Sequence, residues 1–369
     1  MANKAALLSG IREGINVIIL TLNNKGGTEM KFGIGLFGMQ THPELPYTHP
    51  ELYKNTLDQV KLAEEANFDS AWISEHHFLE DGYCPSPAVI AGAMAAVTSK
   101  IRIGSSGIIL PLHNPVRVAE DAAVVDNISN GRFDLGVVLG YRKEEFEGMG
   151  VPMKQRPSRM DEGIEVLEKA LSGETFSYEG KRHSFDNATL TPKPVQNPIP
   201  LYIGAFEEPA IRRAGRYGYP LLIGPGRTVD MVRDTLEYYN DEAKKAGRNP
   251  DDIEHILLRE TFVDADGNKA IEGGNKYIIS MYKFYFSLGV KMFVRGQQLK
   301  DLDDPLFEHL AEERFIIGTP EECTKEIEMY RDELGIKYIS CRMVFPQATH
   351  EIISNLIKTL GKEVIPNFK

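Results

Sequence analysis

Short apolar runs alternate with amphipathic helical stretches eight times between Met30 and the C-terminus, and this rhythm restricts the fold of the 369-residue chain more than any other feature. Phe32, Ile34 and Leu36 alternate with Gly33 and Gly35, which reads as a strand with room beside its backbone. Pro50 then opens a helix in which Tyr53, Leu57, Val60 and Ala63 recur at steps of three and four. The pairing repeats with strands from Phe68 to Ser74, Ile101 to Leu110 and Phe133 to Leu139, and helices from Ser86 to Ser99, Asn114 to Gly131 and Ser158 to Leu171. In the second half, strands are expected at Pro200 to Ile203, Pro220 to Ile223, His255 to Val263 and Ile336 to Val344. Helices there begin near Glu207, at Thr228, at the capping box Thr319-Pro320-Glu321-Glu322, and near Thr349. This order predicts an α/β fold, a (β/α)8 TIM barrel with insertions, in a single domain over residues 30–369. The stretch 264–318 is too long for a simple connection and is expected to carry extra helices near the active face.

Residues 1–29 stand apart and read as an N-terminal extension, poorly ordered or a leader. The apolar run from Ile15 to Leu22 is interrupted by Asn16, is far too short to cross a bilayer, and has no small-x-small cleavage pattern after it. With 53 acidic against 42 basic residues the net charge is −11, which argues against nucleic acid or an anionic membrane surface as partner. Cys84, Cys323 and Cys341 form no C-x-x-C pair, which points to a reducing cytoplasm.

The second strand ends Ala71-Trp72-Ile73-Ser74-Glu75-His76-His77-Phe78. In parallel α/β proteins chemistry gathers where strands end, so a strand that stops at a carboxylate and two imidazoles is a site candidate. Alternation puts Ser70, Trp72, Ser74 and His76 on one face and Glu75 and His77 on the other. If the serine-bearing face lines the barrel mouth, His76 faces the cavity as a general base or hydrogen-bonding group. No metal is expected, because adjacent histidines point apart and no third ligand stands at a sensible spacing. The third strand closes on Gly104-Ser105-Ser106-Gly107, small residues that let a flat ligand approach or simply fill a tight barrel interior. No G-x-G-x-x-G or Walker loop is present. Gly204-Ala205-Phe206-Glu207, closing the fifth strand at a helix start, and Arg159 are the candidates for holding a phosphate.

These segments carry a resemblance. Trp72 to Phe78, Ile103 to Pro111, Asn114-Pro115-Val116-Arg117-Val118-Ala119-Glu120-Asp121, Ser129-Asn130-Gly131-Arg132-Phe133 and Gly318-Thr319-Pro320-Glu321-Glu322-Cys323 resemble, in order, the flavin-dependent luciferase-like monooxygenases, bacterial luciferase α-type subunits in particular. The resemblance implies a barrel that binds reduced FMN at its C-terminal mouth, with a separate flavin reductase supplying it, and that uses O2 to oxygenate a small organic substrate through a flavin peroxide. It implies His76 as the catalytic histidine, and Ser106-Gly107 as a non-proline cis peptide under the flavin ring. Ser74, Val138, Gly204, Ala205 and Phe206 fall on flavin-contacting positions and Arg159 on a phosphate-binding arginine. Glu120 falls at a homodimer interface built from the second and third helices, and Glu75 and His77 on supporting or interface positions.

Two departures bear on the phosphate. The α-type subunits carry Cys-Arg where this chain has Val138-Leu139, and their Glu-Ser-x-x-Thr phosphate set becomes Phe206-Glu207-Glu208-Pro209-Ala210. Arg142 is a candidate replacement for the lost arginine. Light emission is not implied. Two other functions remain open: an F420-dependent hydride-transfer oxidoreductase, and a catalytically silent flavin-binding protein.

Overall fold

In the first strand, β1 (Lys31–Phe37), alternate residues face opposite ways. Phe32 and Ile34 pack outward under the helices, while Gly33 and Gly35 face inward. The reason is Trp72. A Cβ at Gly33 would lie 2.9 Å from the Trp72 indole nitrogen, and one at Gly104 would lie 2.3 Å from its ring. The small residues on these strands therefore make room for the indole that fills the barrel.

The computed structural model describes residues 29–290, 293–294, 297–298, 310–311 and 314–369. The sequence expectation for the N-terminal extension, residues 1–29, lies outside the described residues except at Glu29. The strands are β1, β2 (Ser70–Ile73), β3 (Arg102–Ser105), β4 (Ile108–Ile109), β5 (Phe133–Val138), β6 (Phe176–Glu179), β7 (Ser184–Ala188), β8 (Leu201–Gly204), β9 (Leu222–Ile223), β10 (Ile256–Val263), β11 (Phe293–Val294), β12 (Gln297–Gln298), β13 (Ile316–Gly318) and β14 (Tyr338–Arg342). Among the described residues, eight of them close a parallel ring in the order β1-β2-β3-β5-β8-β9-β10-β14 and back to β1. This is the predicted (β/α)8 barrel.

The main helices are α1 (His49–Glu65), α2 (Pro87–Val97), α3 (Pro115–Ser129), α4 (Lys143–Gly148), α5 (Arg156–Leu171), α6 (Glu208–Tyr217), α7 (Val229–Lys245), α8 (Gly267–Ser287), α9 (Pro320–Leu334) and α10 (His350–Thr359). Local chemistry sets their ends. Asn114 caps α3 by accepting from the Val116 N–H at 2.9 Å, and that helix stops at Asn130 with φ 55°. Thr319 and Glu322 form the expected capping box on α9. Trp72, Tyr202, Leu222, Ile256, Leu258 and Tyr338 make the plug inside the barrel, and a larger apolar layer lies between the strands and the helices.

Three features differ from the sequence expectation. The long third strand is two pieces, β3 and β4, separated by Ser106-Gly107, whose peptide bond is cis. The β6–β7 hairpin and the short α4 were not expected, because their sequences are polar and lack a clear period. In the stretch 264–318, α8 and the small β11–β12 pair are described, and α8 carries Tyr282 and Tyr285 to the barrel mouth.

Candidate functional site

β2 rises through the plug with Ser70 and Trp72 facing inward, and the next inward positions, Ser74 and His76, open onto a cavity of about 340 Å³. That volume falls in the ~300–1,000 Å³ range of small-molecule sites. The cavity lies at the carboxyl ends of the strands, where barrel chemistry is expected. A larger open hollow of about 830 Å³ lies at the opposite end. Most of its charges are paired, Arg102 with Asp134 at 2.6 Å, Lys31 with Glu254 at 2.6 Å and Lys369 with Asp69 at 2.7 Å.

The structure brings nearly all the sequence candidates together. Ser74, His76, Ser106, Gly107, Val138, Gly204, Ala205 and Phe206 all line the 340 Å³ cavity. His77 does not, as strand alternation predicted, but Glu75, expected on the same face as His77, also lines it. Ser106, Gly107, Val138 and Gly204 form one smooth wall. A Cβ on Gly107 would lie 2.9 Å from Val138 Cγ1 and 3.0 Å from the Gly136 carbonyl oxygen, so this wall admits no side chain at 107 without displacement. A planar ring system fits such a surface.

His76 is oriented by a residue that the sequence did not reveal. Its Nδ1 lies 2.8 Å from Oε1 of Glu145 on α4. The same oxygen accepts the His77 N–H at 3.0 Å and lies 3.3 Å from Arg142 Nη1. Burial would raise the Glu145 carboxyl, but its bonds to His76 and the His77 N–H and the nearby Arg142 outweigh that and hold it below the usual range. A carboxylate acceptor makes Nδ1 the protonated nitrogen, which leaves Nε2 of a neutral imidazole as a lone-pair acceptor. The ring is held edge-on to Tyr83, with centroids 4.6 Å apart, and to Tyr141 at 5.8 Å. Tyr83 in turn connects Ser74, at 2.5 Å, with Tyr285, at 2.8 Å.

Arg142 occupies a different place from the one proposed on sequence grounds. It is buried and donates to the His77 carbonyl at 2.8 Å, so it braces the histidine segment and is not free for a phosphate. Arg159 does not line the cavity. It stands at the start of α5, its Nε donating to the Pro111 carbonyl at 2.7 Å, with Arg182 held nearby against Ser158 at 2.9 Å. Burial, with Arg182 adding to it, lowers the Arg159 guanidinium from its usual value. Of the two acidic residues after Phe206, Glu208 pairs with Arg212 at 2.7 Å. Arg227 stacks over the Phe206 ring at 4.3 Å and donates to its carbonyl.

Glu75 borders the same cavity, but its carboxylate makes no bond to His76 and gathers its own cluster. Its Oε1 accepts from His77 Nε2 at 2.9 Å and His113 Nε2 at 2.7 Å, and its Oε2 accepts the Ile109 N–H at 2.5 Å. The ligand atoms of Glu75, His77 and His113 lie within 4.8 Å of one another. The expectation of no metal rested on the lack of a third ligand in the sequence, and the fold supplies one in His113, 38 positions from Glu75. The cluster also ties β2 to the segment immediately after Ser106-Gly107.

The inward residues of the last two barrel strands were also missed. Ile256 and Leu258 on β10, and Tyr338 on β14, belong to the plug. Further along these strands, one inward step beyond Leu258 and two beyond Tyr338, Glu260 and Arg342 are register partners, joined by a 2.8 Å ion pair, and both line the cavity.

Comparison with known proteins gives one family. The family model described as luciferase-like monooxygenase matches residues 30–337. The alkanal monooxygenase alpha chain of a Kryptophanaron alfredi symbiont is 27% identical over 92% of this chain and 99% of its own length. An F420-dependent glucose-6-phosphate dehydrogenase of Nakamurella multipartita is 28% identical over 85% of this chain and 91% of its own. Among solved structures, the monooxygenase RslO1 from Streptomyces bottropensis superposes with a TM-score of 0.82 at 25% identity, covering 92% of this chain and all of that one.

Proposed function

The chain belongs to the luciferase-like monooxygenase family, and from that premise we propose that it is an FMN-dependent monooxygenase acting on a small organic substrate. The observation that carries this reading is the placement of His76, fixed by Glu145, at the edge of a cavity whose facing wall is Ser106, Gly107, Val138 and Gly204. The wall suits an isoalloxazine ring, since a Cβ at Gly107 would already be crowded and no bulky side chain projects there. Arg159 would meet the phosphate beside the first turn of α5, with Arg182 as a second cation. Bound reduced FMN would supply the electrons that activate dioxygen.

The chain's own residues then have separable tasks. His76 Nε2 accepts or returns a proton at the flavin face, while Glu145 keeps Nδ1 protonated and the ring in one orientation. Tyr83, Tyr141, Tyr285 and Phe206 surround the space beside it and limit water. A separate reductase is the proposed source of reduced flavin, and a homodimer the proposed assembly. Val89 on α2 and Val124 and Ile128 on α3 support the dimer, being large apolar side chains exposed to 68%, 43% and 49%. Among the described residues no helix is long and apolar enough to cross a membrane.

The similarity to an F420-dependent dehydrogenase supports a second reading, hydride transfer with F420 on the same wall. Reconstitution with FMN and with F420 separately, followed by reduction and admission of air, separates them. FMN binding with rapid reoxidation in air supports the oxygenase. Binding of F420 alone overturns it in favour of the second reading. Binding of FMN with reoxidation that His76→Ala leaves unchanged points instead to a silent flavin carrier.

A further inference from the structure

Glu260 and Arg342 sit at a place where a barrel of this kind has no structural need for charge. Below them, the inward positions of their strands are Ile256 and Leu258 on β10 and Tyr338 and Ser340 on β14; the first three belong to the apolar plug, and Ser340 is a small buried polar residue. Both side chains are almost completely buried, with Glu260 at 0% and Arg342 at 4% exposure. They satisfy each other only in part. Arg342 Nη1 donates to Glu260 Oε1 at 2.8 Å, but Glu260 Oε2 and Arg342 Nε have no hydrogen-bond partner among the described residues. A buried acceptor or donor left without a partner costs about 1–3 kcal/mol, and more for charged groups. Burial pushes the Glu260 carboxyl up, against the pull of the Arg342 guanidinium 2.8 Å away. Burial would lower Arg342 in turn, but Glu260 and the tyrosines around it raise it well above its usual value, so it stays protonated and favours the ionised carboxylate beside it.

Ring order places this pair opposite the wall read as the flavin side. The Ser106-Gly107, Val138 and Gly204 wall comes from β3, β5 and β8, whereas Glu260 and Arg342 come from β10 and β14 across the barrel. His76, from β2, stands between the two sides. A molecule reacting at the flavin face and near His76 would therefore point its far end at the charged pair. The surrounding surface is aromatic. Tyr83, Tyr141, Tyr282 and Tyr285 line the same cavity, and the Arg342 guanidinium lies 4.8 Å from the Tyr285 ring centroid.

We propose that Glu260 and Arg342 form the substrate-recognition end of this cavity and select a neutral, planar aromatic substrate bearing a hydroxyl group. This rests on the reading of the cavity as a flavin-dependent site. A phenolic hydroxyl donates to Glu260 Oε2 and can accept from Arg342, so it answers both unpartnered atoms at once. A carboxylate would meet Arg342 but be repelled by Glu260, and an ammonium would meet Glu260 but be repelled by Arg342. A long-chain aldehyde carries no donor and would leave Oε2 buried without one. The paired charges thus select against ionised and purely aliphatic molecules, and the tyrosines favour a flat ring.

The test is equilibrium binding of 1-naphthol, 1-methoxynaphthalene and decanal to the full-length protein without flavin and again with FMN, measured by calorimetry. The expected result is that 1-naphthol binds at least ~10-fold more tightly than its methyl ether, which lacks the donor. Decanal should bind more weakly than 1-naphthol. In Glu260→Ala the preference for the hydroxyl over the ether should fall to within about threefold. Equal affinity for naphthol and ether, no naphthol binding in either state, or a preference that survives in Glu260→Ala overturns the proposal. The comparison of ligands on the unaltered protein does not depend on whether the variant folds. A protein that takes F420 instead of FMN yet prefers naphthol refutes the cofactor reading and leaves the recognition pair standing. One that binds FMN and reoxidises it normally, with no hydroxyl preference, does the reverse.

Discussion

Nδ1 of His76 lies 2.8 Å from Oε1 of Glu145, a fully buried carboxylate 69 positions further along the chain. Glu145 also reaches the edge of the cavity, but its Oε1 is taken up by His76, the His77 N–H and Arg142, so it is read as acting through the histidine, as a positioning residue. Glu145→Gln removes the charge that fixes the imidazole and should slow reoxidation of bound reduced FMN roughly 10- to 100-fold. The dissociation constant for FMN should change by less than about threefold. A purely structural role would instead lower the unfolding midpoint and weaken flavin binding together with the rate. Stopped-flow reoxidation beside a flavin titration checks which pattern holds.

Arg159 is the other residue whose role can be isolated. Its guanidinium spends one N–H on the Pro111 carbonyl and stands beside Arg182 at the start of α5. Charge-assisted hydrogen bonds contribute about 1.5–3 kcal/mol each, so Arg159→Ala should weaken FMN binding roughly 10- to 100-fold. Riboflavin, which has the same ring and no phosphate, should bind the variant and the unaltered protein alike. Fluorescence titration with the two flavins reads the difference, and an equal loss for both would remove Arg159 from the phosphate site.

The Glu75 cluster gives a pH dependence with a defined sign. Burial raises the Glu75 carboxyl, but its bonds to His113 and His77 outweigh that and bring it down to about 2. Its contribution to stability is therefore present above the unfolded value of about 4.5 and is lost as pH falls toward 2. For His113 burial lowers the imidazole, and Glu75 more than reverses that, so the net shift is upward. That contribution is complete below the unfolded value of about 6.5 and is lost as pH rises through the folded one. The stabilisation from this pair should be greatest between roughly pH 4.5 and 6.5. Thermal unfolding of the unaltered protein and Glu75→Gln across this range should show the widest gap in that window. A gap that is constant with pH would contradict the pairing.

Ile128 lies on the exposed apolar patch of α2 and α3, and Gly92 on α2 approaches it, with the position of a glycine Cβ 3.7 Å from Ile128 Cδ1. If this patch is the dimer contact, Ile128→Asp places a charge in its centre and should shift the particle to monomer mass by size-exclusion chromatography with light scattering. The unfolding midpoint at low protein concentration should change little, because the side chain is exposed in the single chain. A variant that keeps the mass of the unaltered protein would move the interface elsewhere.

Much of the site was legible because its signal is local. The period of two in Ser70-Ala71-Trp72-Ile73-Ser74-Glu75-His76-His77 decides which imidazole faces the cavity, and the structure places His76 there and His77 outside. The same rule was available for Ile256-Leu257-Leu258-Arg259-Glu260, where a charge ends an inward apolar column, and for Tyr338-Ile339-Ser340-Cys341-Arg342, where one ends a buried inward column of Tyr338 and Ser340. It went unread because an arginine and a glutamate look like ordinary surface residues until their register pairing is known. Glu145 had no such signal. Its segment, Lys143-Glu144-Glu145-Phe146-Glu147-Gly148, reads as a solvated stretch, and only Phe146 hinted that one turn of it is buried.

The sequence by itself determined the alternation of strands and helices, the helix caps, and the face each strand side chain takes. These depend on backbone geometry over a few residues and do not need the rest of the chain. The partners were decided only when the barrel closed. Glu145 reaches His76, His113 reaches Glu75 and Arg342 reaches Glu260 across 69, 38 and 82 positions. Each contact joins loops or strand ends whose distance in space is set by ring order and register. Burial then decides how far those charges bind one another, because removing water makes an unpaired charge costly and a paired one persistent.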